Sequence, residues 1–212
     1  MDKKTYLQNP CGASSLPFWK TNCIQAPDDL LILREDDPRI PFFEEACSDT
    51  LYFKLIHHME HIEQPTLPDG YRFVCPSATV LSDHISSCYV SDGASAAELE
   101  SYRDHRVYSP DLWLAIVDEQ SDRIIASGIA EIDVDIREGI LEWIQVSPKY
   151  RRRGWGRIIV NELLLRMRDR SDFVTVSGKA NDTSDPRALY ERCGFEGAVI
   201  WHVLRKRQSF PG

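Results

Sequence analysis

The chain has 212 residues, 42% hydrophobic, 27% charged and 10% aromatic, with 25 Lys and Arg against 33 Asp and Glu for a net charge of -8. This supports one main domain with an appendage and excludes a disordered tail, a collagen-like chain and a low-complexity linker. The acidic balance disfavours nucleic acid as a partner, and no window approaches the ~18 uncharged apolar residues of a membrane span, so the expected address is the cytoplasm, with no membrane partner.

The first sixty-five residues read as an N-terminal extension packing on a main domain of residues 66–212. Loop punctuation runs from Asn9 to Pro17 and from Asp36 to Pro41, and Leu30 to Leu33 reads as a short strand between them. The spacing of Leu51, Leu55, Ile56 and Met59 predicts a helix from Glu44 to Ile62, closed by Pro65 and Pro68. After Gly70 the chain becomes regular: a strand at Tyr71 to Val74, a helix from about Ser77 to Tyr89 and a second over Ala94 to Arg103. Three strands follow, Leu112 to Val117, Arg123 to Asp135 and Ile140 to Val146, an antiparallel meander. In the second of these Ala130, Ile132 and Val134 share one face, and Glu131, Asp133 and Asp135 the other, expected to be wet. A helix from Trp155 to about Arg168 carries Ile159, Val160, Leu163, Leu164 and Met167 on one face. A strand at Phe173 to Ser177, a helix from Asp185 to Arg192 stopped by Gly194, and a strand at Ile200 to Leu204 complete the chain. If that last strand is an edge, it offers a route to a homodimer.

Charge concentrates in one place. Residues 145–170 hold eight Lys and Arg against Glu162 and Asp169, which suggests one small polyanionic ligand, such as a phosphorylated cofactor, with a solvated helix face as the plainer reading. Within that window Arg151-Arg152-Arg153-Gly154-Trp155-Gly156 joins a strand to a helix. Glycines at 154 and 156 allow close backbone approach, the first helical N–H groups lack internal partners, and Arg151, Arg152 or Arg157 can add charge-assisted hydrogen bonds. The junction therefore reads as an anion site or as a tight turn. It is neither a P-loop, lacking Gly-Lys-Ser/Thr, nor a dinucleotide fingerprint, since position 159 is Ile.

The run Ile144 to Gly156 resembles the strand and Arg/Gln-x-x-Gly-x-Gly/Ala loop of the GNAT superfamily of acyl-CoA-dependent N-acetyltransferases. The block from Asn181 through Ala188-Leu189-Tyr190 to Gly194-Phe195 is similar to that family's later helix. The resemblance covers roughly Thr66 to Leu204. It implies a mixed, mostly antiparallel α/β sheet flanked by helices, and acetyl-CoA as cosubstrate in a V between the strands ending at Val146 and Ser177. It implies cofactor contacts along the backbone of Ile144 and Val146, from Arg151, Arg152, Arg153, Gly154, Trp155, Gly156 and Arg157, and from Asn181 and Tyr190. The implied reaction is acetyl transfer to a primary amine, of a small molecule before a peptide or protein, with Tyr190 as proton donor to the thiolate. An ammonium must lose a proton before it can attack. Glu142 is the candidate base, with Asp133 and Glu131 as runners-up. An acyl-CoA-binding sensor that has lost turnover is the alternative.

Six cysteines (Cys11, Cys23, Cys47, Cys75, Cys88, Cys193) are too sparse for a disulfide scaffold, and Cys193 reads as packing. His57, His58 and His61 with Cys11 and Cys23 lack metal-site spacing, so no metal is expected. Leu16-Pro17-Phe18-Trp19-Lys20 reads as a staple pinning the extension to the sheet, or as a lid over the acceptor site.

Overall fold

The computed structural model describes residues 1–23, 27–43, 45–89 and 93–207. The meander expected from the sequence is present as β4 (Trp113–Asp118), β5 (Arg123–Asp133) and β6 (Glu138–Val146), and the strand expected before the helices, β3 (Tyr71–Val74), pairs antiparallel with β4. Between β3 and β4 lie α4 (Ala78–Cys88), capped by the Ser77 hydroxyl on the Val80 N–H, and α5 (Ala96–Ser101). Next come α6 (Trp155–Met167), β7 (Phe173–Lys179), α7 (Pro186–Arg192) and β8 (Glu196–Lys206). The α6 stripe Ile159, Val160, Leu163, Leu164 and Met167 is fully buried against Leu114, Ile116, Ala126, Ala130 and Leu141, as its spacing requires.

The extension does more than pack on this domain. Short helices α1 (Lys3–Gln8), α2 (Pro10–Ala13) and α3 (Phe18–Cys23) precede β1 (Leu30–Arg34) and β2 (Cys47–His57), and both strands join one eight-stranded sheet of order β1-β8-β2-β7-β6-β5-β4-β3. β2 is inserted between β7 and β8 and is antiparallel to both, so residue 65 divides no sheet. The helix expected from Glu44 to Ile62 is therefore a strand, and Glu44 itself lies outside the described residues. The physical reason is arithmetic: a four-residue repeat such as Leu51, Leu55, Met59 also places side chains on one face of a period-two strand. Phe53 and Leu55 face the α6 side, where the Phe53 ring meets Tyr190 at 6.2 Å, while Lys54 points to the opposite face. Nor is β8 an edge: β1 covers it, and the sheet ends at β1 and β3.

Lys54 explains how the extension is seated. Its buried ammonium donates to the Tyr6 hydroxyl at 3.1 Å and to the carbonyls of Pro10, Ser14 and Leu16 at 3.0, 2.9 and 2.8 Å. Nearby, the buried Glu138 carboxylate accepts from the Tyr6 hydroxyl at 2.6 Å, Thr175 Oγ1 at 2.7 Å and the Phe18 N–H at 3.0 Å. Burial pushes Lys54 down to about 8 and Glu138 up, so desolvation outweighs their mutual attraction.

Removing one partner of such a pair strands the other. Lys54→Met is expected to cost about 3–5 kcal/mol of unfolding free energy by urea denaturation. A loss below about 1 kcal/mol would assign the seating to the apolar contacts of Tyr6 and Trp19 alone.

Candidate active site

A bulge in β6 creates the opening. Gly128 pairs with Ile144 and Ala130 with Leu141, so Glu142 and Trp143 together oppose Ile129. The extra residue keeps Leu141 and Ile144 on the α6 side while Glu142 and Trp143 both face α3, α4 and α5. It also bends β6 away from β7: the two parallel strands pair from Glu138↔Phe173 only to Leu141↔Val176, and β6 continues to Val146 paired with β5 only. Glu142 is the first residue past the last pair and stands at the vertex of the V.

Beyond the open arm of β6, Ser147 leads into a turn of 3-10 helix (Pro148–Tyr150) and the arginine loop. Gly154 takes φ +89 and caps α6 with no side-chain hydrogen bond, so the first N–H groups of α6 face outward. A Cβ on Gly154 would meet nothing within 4 Å, which marks room for a ligand. Gly156 differs from expectation: a Cβ there would lie 3.0 Å from Leu189 Cδ2, so this glycine serves the packing of α6 against α7. Arg151 is also committed, donating to the Val146 carbonyl at 3.2 Å and the Cys88 carbonyl at 2.9 Å, and Arg157 pairs with Glu63. Arg152 and Arg153 are exposed, Arg153 lying over the Tyr150 ring. The other arginines of the basic window do not join them. Arg166 and Arg170 sit at the far end of α6, paired with Glu162 and Asp111, so the window is two sites and only its first half faces the groove.

Other expected residues fall around the V at different depths. The hydroxyl of Tyr89 donates to the Ile144 carbonyl at 3.3 Å, so backbone acceptors at 144 and 146 already have protein donors. Asn181 is exposed on the turn after β7. Tyr190 on α7 is buried, its ring against Phe53 and Phe195, and burial raises its phenol so that it holds its proton. His84 on α4, pushed by burial down to about 4, bridges Ser127 Oγ at 2.7 Å and Ser147 Oγ at 2.9 Å, and Gln145 Nε2 joins Ser127, tying α4 to the end of β6.

The face expected to be wet is covered. Trp19 Nε1 donates to Glu131 Oε2 at 3.0 Å, Arg106 grips Asp133 with two hydrogen bonds of 2.7 and 2.8 Å, and Lys20 Nζ lies 2.5 Å from Glu142 Oε1. Ordinary alternation placed these acids correctly but could not show that α3 lies over them; Val134, expected inside, is 67% exposed because β5 has already ended. Burial first, then the neighbouring Glu142 charge, pushes Glu131 up to about 7, and its Oε1 has no hydrogen bond, with His105 Nδ1 3.8 Å away. Trp19, Tyr102, His105 and Trp143 line this side, with Trp19 and His105 centroids 4.8 Å apart and Tyr102 stacked on His105 at 5.2 Å. Sequence reasoning did not assign Tyr102 or His105 to the site, and it brought Lys20 there only within the run Leu16 to Lys20 read as a staple or as a lid over the acceptor site.

The metal and nucleophile candidates resolve simply. His57 is buried at the end of β2, accepting from the Met59 N–H at 2.9 Å, while His58 pairs with Glu196. Among the described residues no group of His, Cys, Asp and Glu could hold a metal, and no helix is long and apolar enough to cross a membrane. Cys193 is buried, its thiol pushed up to about 12 by burial, and packs as a small apolar residue.

Comparison with known proteins agrees with this architecture. Residues 109–197 match the family model described as an acetyltransferase (GNAT) domain. A GCN5-related N-acetyltransferase from Sphaerobacter thermophilus superposes with TM-score 0.69 at 18% identity, over 85% of this chain and 61% of that one, so the chain spans less than two thirds of that relative's length. A GCN5-related N-acetyltransferase from Kribbella flavida gives TM-score 0.57 at 14% identity over 85% and 68% of the two chains. Ard1 from Thermoplasma volcanium gives 0.52 at 12% identity over 66% of this chain and 99% of its own. No curated protein sequence matches the chain at a significant level.

The Glu131 shift has a signed consequence. Its folded value of about 7 lies above its ordinary 4.5, so the native state binds this proton more tightly than the unfolded chain does. The resulting stability is complete below 4.5 and is lost as pH rises through about 7. His84, depressed from 6.5 to about 4, has the opposite slope over its own window. The difference in urea midpoint between wild type and Glu131→Gln isolates the carboxyl: the variant is expected to gain on wild type from pH ~5 to ~8. A constant difference would show that Glu131 titrates normally.

Proposed function

Because residues 109–197 match the model of a GNAT acetyltransferase domain, we propose that this protein moves the acetyl group of acetyl-CoA to the primary amine of a small cationic molecule. The observation that carries the reading is the vertex of the V, where a carboxylate stands at the point where two parallel strands part. An uncapped helix N-terminus beside a left-handed glycine lies at the other end of the same strand.

The pyrophosphate of the cofactor fits the amides of the 151–157 loop, with Arg152 and Arg153 nearest and Arg151 and Arg157 able to turn from their present partners. The pantetheine arm fits the open side of β6 at Ile144 and Val146, replacing Tyr89 and Arg151 as donors, with Asn181 on the opposite rim. The bound thioester supplies the activated acetyl carbon. Glu142 takes a proton from the acceptor ammonium and so exposes its lone pair. Buried Glu131 and Asp133 add to the negative potential that draws in a cation, and Trp19 and Tyr102 offer it aromatic faces. Tyr190 approaches from the α7 side and hands its proton to the departing thiolate. The acidic chain as a whole suits a cationic acceptor and no nucleic acid or membrane partner.

Calorimetric titration with acetyl-CoA tests the cofactor. Micromolar binding is expected, weakened about tenfold or more in an Arg152→Glu/Arg153→Glu variant with unchanged Tm. Glu142→Gln and Tyr190→Phe are each expected to lower kcat for CoA release with an amine acceptor on the order of 10²-fold while keeping acetyl-CoA affinity. Absence of acetyl-CoA binding would overturn the reading, and tight binding without turnover on any amine would leave an acyl-CoA-binding module.

A further inference from the structure

We propose that Lys20 is an acetyl acceptor of its own active site, so that the protein acetylates itself on the α3 lysine. This rests on the acetyl-CoA reading above. The site already contains a primary amine: Lys20 Nζ is 2.5 Å from Glu142 Oε1, at the vertex where β6 leaves Val176, and its side chain is only 16% exposed. The amine is held there by its own helix. The Phe18 N–H is tied to Glu138 and the Trp19 indole to Glu131, so the two residues preceding Lys20 are fixed to the sheet, and the Lys20 ammonium lies 5.4 Å from the centre of the Trp19 ring. An acceptor placed in this way needs no binding step, which is the largest advantage an intramolecular reactant has. Lys3 and Lys4, by contrast, are exposed on α1, and Lys54 is buried among three carbonyls and the Tyr6 hydroxyl.

The step balances within the groups named. Glu142 takes one proton from the Lys20 ammonium, the freed Nζ lone pair forms the N–C bond to the acetyl carbon, and the C–S bond breaks with its electron pair on sulfur. The adduct nitrogen gives its second proton to solvent, the thiolate takes the Tyr190 proton, solvent returns one proton to Tyr190, and Glu142 passes its own to water, so one proton is released overall. The products are N-acetyl-Lys20 and free CoA. The modification replaces an ammonium with a neutral amide, so the Lys20–Glu142 pair is lost and Glu142 is released for an amine from solution. Unmodified Lys20 instead occupies the position that amine must take.

The test is incubation of the full chain with acetyl-CoA, followed by intact-mass and peptide mass spectrometry. One acetyl group on Lys20 is expected, at a rate independent of protein concentration and at least about tenfold above that at Lys3 or Lys4, which report the uncatalysed background. Lys20→Arg keeps the cation beside Glu142 and is expected to remove the modification with Tm unchanged. Glu142→Gln is expected to slow it on the order of 10²-fold with acetyl-CoA affinity retained by calorimetry. Lys20 acetylated no faster than Lys3 and Lys4, in protein that binds acetyl-CoA, would overturn the inference. If free amines are turned over while Lys20 stays unmodified, self-acetylation alone falls; if acetyl-CoA does not bind, both readings fall.

Discussion

Buried Lys54 and Glu138, linked through the Tyr6 hydroxyl, are the constraint on which the seating of the N-terminal segment depends. Both groups are driven toward neutrality by burial, Lys54 down to about 8 and Glu138 upward, so the pair is not a gain over apolar packing. What it supplies is position. Three N-terminal carbonyls converge on one ammonium, and Tyr6 and Phe18 converge on one carboxylate, so residues 1–23 have a single way to lie on the sheet. Trp19 and Lys20 are carried to Glu131 and Glu142 as a consequence.

The second organising feature is the one-residue excess in β6. Without it, Glu142 and Trp143 would face opposite sides and β6 would continue alongside β7. With it, the strand parts from its neighbour, a carboxylate comes to the parting point, and the two faces take different tasks. The α6 and α7 side has the uncapped helix end, the glycine loop and Tyr190. The α3, α4 and α5 side has the acids and the aromatic wall. The acetyl transfer proposed above, from a phosphorylated carrier to a cationic amine, would use this division, because the two reactants need opposite electrostatic surroundings.

Two buried groups hold this arrangement at neutral pH in opposite senses. His84 stays neutral because burial disfavours its charge, and so bridges Ser127 on β5 to Ser147 just past the end of β6. Glu131 is pushed up by burial and then by the neighbouring Glu142 charge, which Lys20 offsets from its place beside Glu142. The N-terminal segment is therefore part of the site's electrostatics as well as its cover.

Local patterns determined much of this. The three strands of the meander, the strand before them, the α6 stripe and the Gly154 turn were legible because each depends on residues within a few positions of one another. Tertiary structure decided the rest. A four-residue repeat cannot separate a strand from a helix, so the place of β2 between β7 and β8 rests on contacts with residues more than a hundred positions away. Alternation showed that Glu131 and Asp133 share a face but not what covers it, and glycine at 156 did not disclose Leu189 against it. The bulge at Glu142, the split of the basic window and the arrival of Lys20 at the vertex arise from pairing and burial between distant segments, which no local spacing encodes.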